Sequence, residues 1–338
     1  MKSLFELALK PGQLPGRLTC FWFLLTVITN VWYWPLAFCV ILYTRSLVGA
    51  ATICILVLYN TVGPGKKAAG NCSWPPLFRR LPYWAYMARY FSARIVKTED
   101  LPPEKNYMFV SHPHGVIGLS TWVNFATEAT GVSKVFPGIE IHVATLGSNF
   151  VAPGMREYVL MHGLCDASRD TLKALLGSGK PGRSVVLVVG GAAEALLAAP
   201  GTYDLILNSR KGFIKLALQT GASLVPLLGF GEPDTYMTWV APKGTTAARV
   251  LKVLKDWLGF STPIIWGVGV FGGKGLMPLP AQLTSVVGAP VHVDKVENPS
   301  QEQIDALHAK YVAALQRTWD DHVDKYGKGV KKPLTIVA

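Results

Sequence analysis

Residues 184–191, SVVLVVGG, set an unbroken apolar run from Val185 to Val189 against a closing pair of glycines. A β-branched run without polar alternation is the pattern of a strand buried on both faces, as in parallel sheets. A strand that stops at two glycines stops where the backbone needs room. The segments around it repeat the theme. YMFVS (107–111), IHVATLG (141–147) and SLVPLLGFGE (223–232) read as further strands, and GVIGLSTWVNFATEAT (115–130), PGMREYVLMHG (153–163) and KGFIKLALQTG (211–221) as helices between them. This alternation predicts an α/β fold with a mostly parallel sheet flanked by helices. Ligands of such sheets bind beyond the carboxyl ends of the strands, where His112, His114 and Glu194 would all fall.

Half of the 338 residues are hydrophobic and only 16% are charged, which excludes a disordered chain and makes this one greasier than an average soluble enzyme. Lys and Arg number 33 against 21 Asp and Glu, a formal +12 that favours anionic partners. The basic residues are scattered, so no nucleic-acid partner is expected. The 5 cysteines are an odd number and include no C-x-x-C pair, so neither a disulfide framework nor a zinc ribbon is suggested.

Residues 18–44 carry no formal charge, and after Arg45 a second uncharged run extends from Ser46 to Gly65. Each is about 20 residues or more, the length of a membrane-crossing helix. Lys2, Lys10 and Arg17 precede the pair, and Lys66, Lys67, Arg79 and Arg80 follow it, which puts both flanks on the cytosolic side. The expectation is a cytosolic N-terminus at 1–17, a helical membrane-anchoring hairpin at 18–65 and an α/β domain at 66–338. The bend falls near Pro35 or Arg45, and a re-entrant hairpin in one leaflet stays open beside full crossing. GPGKKAAGNCSWPP (63–76) reads as the linker.

Two later helices are expected. TTAARVLKVLKDWLG (245–259) sets Val250, Leu251, Leu254, Trp257 and Leu258 against Arg249, Lys252 and Lys255, a basic amphipathic pattern that suits an anionic membrane or an ordinary surface helix. PSQEQIDALHAKYVAALQRTWDDHVDKYG (299–327) opens with a Ser300/Gln303 capping box and repeats apolar positions at 304, 307, 311, 315 and 319. It reads as a packing helix without chemistry.

HPHG (112–115) stands where the strand at 107–111 ends. If a helix begins just after Gly115, the helix dipole disfavours imidazolium, and a neutral His114 can take a proton. Backbone N–H groups of the same turn would face a developing oxyanion, and Gly115 has no Cβ to block a substrate. General base and oxyanion donors in one turn suit acyl transfer to a hydroxyl. A structural turn is the simpler alternative. A metal clip would need His142, His162 or Cys165 as further ligands, and their spacing matches no zinc signature. No G-x-S-x-G is present, so Ser111 reads as a turn residue rather than a nucleophile.

HPHG, VVGGAAEAL (188–196), NSRKGFIKLALQTGASLVPLLGFGE (208–232) and the apolar N-terminal pair together resemble the type 2 diacylglycerol and monoacylglycerol acyltransferases. The likeness runs from about residue 80 to the last helix. YFSARIVKT (90–98) departs from it, because animal members carry proline after Tyr-Phe. The resemblance implies a glycerolipid-acyltransferase-like fold and an integral protein of the endoplasmic reticulum membrane, with the lipid-droplet surface as a second location. It implies triacylglycerol formation from acyl-CoA and diacylglycerol, with monoacylglycerol or a long-chain alcohol as alternative acceptors. A non-catalytic droplet-coat protein is the reading outside enzymes. Acyl-CoA enters as co-substrate with no resident cofactor or metal, membrane lipids are further partners, and self-association stays open. His114 would deprotonate the acceptor with His112 orienting it or sharing the proton, Gly115 holding the oxyanion, and transfer proceeding without an acyl-enzyme. A more distant similarity to the glycerophospholipid acyltransferases places an Asp five positions after the catalytic His. Leu119 stands there in this chain, so His112 or Glu194 would orient His114 instead. Glu194 would lie near the base or the acceptor, Pro113, Gly190 and Gly191 near the substrate, and Arg210, Lys211 and Gly212 near CoA phosphate.

Overall fold

The computed structural model describes residues 10, 12–61, 77–151, 154–242, 244–258 and 263–337, without the side chains of 28–37, 56, 60, 61 and 255–258. All of the expected linker, with Lys66, Lys67 and Cys72, lies outside the described residues, as do the side chains of Lys255, Trp257 and Leu258.

The strands in chain order are β1 (Arg94–Lys97), β2 (Tyr107–His112), β3 (Glu140–Thr145), β4 (Cys165–Asp166), β5 (Arg183–Val188), β6 (Asp204–Leu205), β7 (Ser223–Phe230), β8 (Met237–Trp239), β9 (Ile264–Val268), β10 (Lys274–Gly275), β11 (Thr284–Val287) and β12 (Thr335–Ile336). Seven form one sheet in the order β1-β11-β7-β2-β5-β3-β4. The four pairings from β7 to β4 are parallel, β11 joins β7 antiparallel, and β1 pairs with β11 in parallel. The sheet is mostly parallel, as expected, with an edge of two short strands that the apolar pattern did not announce.

Every residue of β2 and β7 is buried. Met108, Val110, Leu224 and Leu228 join a core with the helices Gly212–Thr220 and Gln301–Asp320, while Tyr107, Phe109, Val225 and Leu227 join another with Phe125, Phe136 and the helix Met155–Met161. Burial on both faces removes the polar alternation from these strands, which is why they read as continuous apolar runs. Ser111 stands beside Val188 of β5 and Leu227 of β7. The three central strands therefore end close together, and Glu194 after β5 and Glu232 after β7 reach the segment that follows β2.

The first expected helix splits differently. The chain turns through Gly115 and Gly118, both at positive φ, and helical backbone starts only at Leu119. His114 is thus not at a helix N-terminus, and the dipole argument for its neutrality does not hold.

Two apolar helices precede the domain, α1 (Leu14–Thr44) and α2 (Leu47–Thr61), broken at Arg45 in left-handed conformation rather than at Pro35. No helix among the described residues is long and apolar enough to cross a membrane. The root of α1 belongs to the domain. Cys20, Phe23 and Leu24 pack with Trp84, Met87 and Leu119, and Arg17, 1% exposed, donates to the Gly269 carbonyl at 3.0 Å. Toward Arg45 the helices expose Phe38, Val40, Leu42, Tyr43, Leu47 and Val48.

The helix Thr246–Leu258 exposes Val250, Val253 and Leu254 while Leu251 is partly covered, so the expected apolar stripe is split between solvent and protein. The helix Gln301–Asp320 has the Ser300/Gln303 capping box and buries Ile304, Leu307, Tyr311, Leu315 and Trp319.

Candidate active site

The turn after β2 is built from His112, Pro113, His114 and Gly115, and two buried glutamates grip it. Glu194 comes from the short helix Gly191–Ala195 that follows β5. Its carboxylate accepts the main-chain N–H of His114 at 2.6 Å and that of Ile206 at 2.9 Å. Glu232 follows β7 and is fully buried; it accepts the N–H groups of Leu119 at 3.0 Å and Ser120 at 2.6 Å. Charge-assisted bonds to amides are the means by which a carboxylate is held in a dry place. Burial nevertheless pushes both groups up to about 7, with Arg210 pulling Glu194 back through space.

The two histidines are held differently. His114 is half-buried, and its Nδ1 lies 3.0 Å from the Gly115 carbonyl. A carbonyl oxygen only accepts, so Nδ1 carries the proton and Nε2 keeps the lone pair. Burial lowers the pKa of this ring, so the neutral form survives by desolvation rather than by a helix dipole. His112 is wholly enclosed, its Nε2 is 3.0 Å from the Tyr311 hydroxyl, and burial pushes it down to about 3. Tyr311 lies on the helix that the sequence pattern assigned to packing, and it packs there with its hydroxyl turned to His112. Pro113 is buried between the two, after a cis peptide bond.

The glycines have reasons nearer than substrate. A Cβ on Gly115 would collide with the Glu232 carboxylate, and φ there is +61°. A Cβ on Gly190 would collide with the Glu194 carboxylate, whereas Gly191, at φ +59°, has open space beside it. Both collisions are with buried acids, so the expectation that Gly115 and Gly190 chiefly clear a path for substrate is revised. The amides are committed too: those of His114, Leu119 and Ser120 are taken by the glutamates.

The remaining expected residues have other surroundings. Arg210 is exposed, Gly212 opens the helix Gly212–Thr220, and Lys211 is paired with Asp305 at 2.6 Å. Ser111 is bonded to Thr121 of the short helix Leu119–Thr121 at 2.9 Å, and both are buried. His142 bonds Glu140 and the Gly163 carbonyl, and His162 bonds the Ala126 carbonyl. Among the described residues no three His, Cys, Asp or Glu side chains gather as a metal site. Sequence reasoning missed Glu232 and Tyr311. Glu232 closes the quoted GFGE segment, directly after a buried strand, and that position was the signal available for it.

The site at the ends of these parallel strands is thus a half-buried histidine whose Nδ1 is bonded to the Gly115 carbonyl, in a turn held by two buried glutamates. The diacylglycerol acyltransferase family model matches residues 39–337, and the chain belongs to that family. It is similar to diacylglycerol O-acyltransferase 2 from Bos taurus, 40% identical over 312 residues, covering 89% of this chain and 86% of the relative. The Homo sapiens protein of that name is 39% identical, with 89% and 80% covered. Diacylglycerol O-acyltransferase 2B from Umbelopsis ramanniana is 39% identical over 313 residues, covering 91% and 89%. Among solved structures, the 1-acyl-sn-glycerophosphate acyltransferase PlsC of Thermotoga maritima aligns over 92% of this chain and 97% of that one, with 12% identity and a TM-score of 0.41.

Proposed function

We propose that this protein transfers the acyl group of acyl-CoA to the free hydroxyl of diacylglycerol, giving triacylglycerol and CoA. The observation that carries this reading, beside family membership, is the lone pair left on His114 Nε2 by the Nδ1 bond to Gly115. In the reaction the acceptor hydroxyl gives its proton to Nε2 while its oxygen attacks the thioester carbonyl. The C–O bond forms, the C–S bond breaks, and the CoA thiolate takes the proton back from His114. Gly115 supplies the turn's amide for the oxyanion, and Glu194 holds the His114 main chain rather than the acceptor. Arg210 stands at the surface for the CoA phosphates. Lys211 is the weaker candidate because Asp305 already neutralises it.

The setting proposed is the cytosolic leaflet of the endoplasmic reticulum and, at times, a lipid-droplet surface, with both termini in the cytosol. Support comes from the apolar side chains exposed around Arg45, and from Val250, Val253 and Leu254, which lie bare beside the cations Arg249 and Lys252 of their own helix.

The direct experiment offers purified protein labelled oleoyl-CoA with diacylglycerol, monoacylglycerol and a long-chain alcohol in separate reactions. The expected product is labelled triacylglycerol, formed faster than the other esters. Faster diacylglycerol or wax-ester formation reassigns the acceptor, and no ester from any of the three favours the droplet-coat reading.

A further inference from the structure

β2 sends Met108, Val110 and His112 to the face that the helix Gln301–Asp320 covers. Tyr311 of that helix places its hydroxyl 3.0 Å from His112 Nε2 and 3.4 Å from the Val110 carbonyl. Both side chains are wholly buried, and the Phe213 ring stands edge-on to the tyrosine at 5.3 Å. His112 Nδ1 has no partner among the described residues. With the hydroxyl proton directed to the Val110 carbonyl, the tyrosine oxygen accepts the His112 Nε2–H and the bare atom is a lone pair. The reverse tautomer would leave a bare N–H in the same dry place, the less tolerated orphan. The bond on one ring nitrogen thus decides the state of the other.

We infer that Tyr311 is a positioning residue for acyl transfer: through the His112 ring it pins the end of β2, from which Pro113 and His114 depart, and so holds the His114 imidazole in place. The inference rests on His114 being the base. It also divides the labour between the two histidines. His112 is sealed beneath a helix and has no face on which to meet an acceptor, whereas His114 is only half-buried.

The test compares wild type, Tyr311→Phe, His112→Ala, His112→Gln and the double variant His112→Ala/Tyr311→Phe, all purified in detergent, by kinetics and by ¹⁵N spectra of labelled histidine. Tyr311→Phe keeps the ring and removes the hydroxyl's bonds to His112 and to the Val110 carbonyl, so kcat should fall roughly tenfold with both KM values nearly unchanged. His112→Gln restores an N–H near the lost Nε2 and should recover most of the activity lost in His112→Ala. The double variant should be no worse than His112→Ala, because the two side chains act as one unit. In the spectra His112 should be protonated on Nε2 alone in wild type and become a tautomer mixture in Tyr311→Phe. The spectra read this contact whether or not diacylglycerol is the acceptor, so a wrong acceptor silences the kinetics without touching them. Additive losses in the double variant, or a His112 signal indifferent to Tyr311→Phe, would overturn the inference.

Discussion

Replacing His114 by alanine should lower kcat by a factor of about 10² to 10⁴ while leaving the fold intact, the range expected when a positioned general base is removed. The ring is half-buried, and its bond is to the neighbouring Gly115 carbonyl, so its loss removes a single local hydrogen bond. Stability should change by less than about 1 kcal/mol. Among the described residues no second group stands ready to take over, since His112 is enclosed and Glu194 and Glu232 are occupied by amides. The comparison needs kcat and KM for oleoyl-CoA and diacylglycerol beside a melting curve. A His114→Ala protein that melts normally and keeps more than a tenth of wild-type kcat would remove the base from this position.

Gly115→Ala should be the most damaging small substitution in the turn. At φ +61° an alanine has an unfavourable backbone, worth about 1–3 kcal/mol. Its Cβ would also overlap the Glu232 carboxylate, and overpacking of this kind adds about 1–3 kcal/mol. The carboxylate cannot swing aside freely, because the amides of Leu119 and Ser120 would lose their acceptor. Against a total stability of about 5–15 kcal/mol that is a severe loss. Gly118→Ala is the control. Gly118 has φ +70°, but a Cβ there meets nothing nearer than the His114 carbonyl at 3.9 Å, so it carries only the backbone part. Chemical unfolding of the two variants should therefore separate them by about 1 kcal/mol or more, with Gly115→Ala the weaker protein. Equal destabilisation would mean that Glu232 does not press on the turn.

The sheet was legible because its strands are buried on both faces: VVLVV and its neighbours have no polar alternation to confuse them with amphipathic helices. The last helix was legible because Ser300 and Gln303 cap each other and the apolar spacing never breaks. The start of the helix after HPHG was not, since Gly115 and Gly118 both take left-handed backbone and delay helical geometry to Leu119, a tertiary choice fixed by Glu232 across 113 residues of sequence. Tyr311 escaped for the opposite reason. It obeys the packing period so well that nothing marks the hydroxyl at its tip as a partner of His112. Arg17 looked like a cation flanking an apolar run and is instead buried on the domain, bonded to a carbonyl in the distant turn after β9.

Direct transfer, with His114 passing the proton from acceptor to CoA, is the claim on which the rest depends. It is tested by mixing enzyme with an excess of labelled oleoyl-CoA, quenching within a single turnover, and measuring free CoA and protein-bound label with and without diacylglycerol. The account predicts that CoA release and triacylglycerol formation rise together, that both need diacylglycerol, and that no label stays on the protein. A burst of CoA equal to the enzyme concentration without acceptor, with label fixed to the chain, would contradict it.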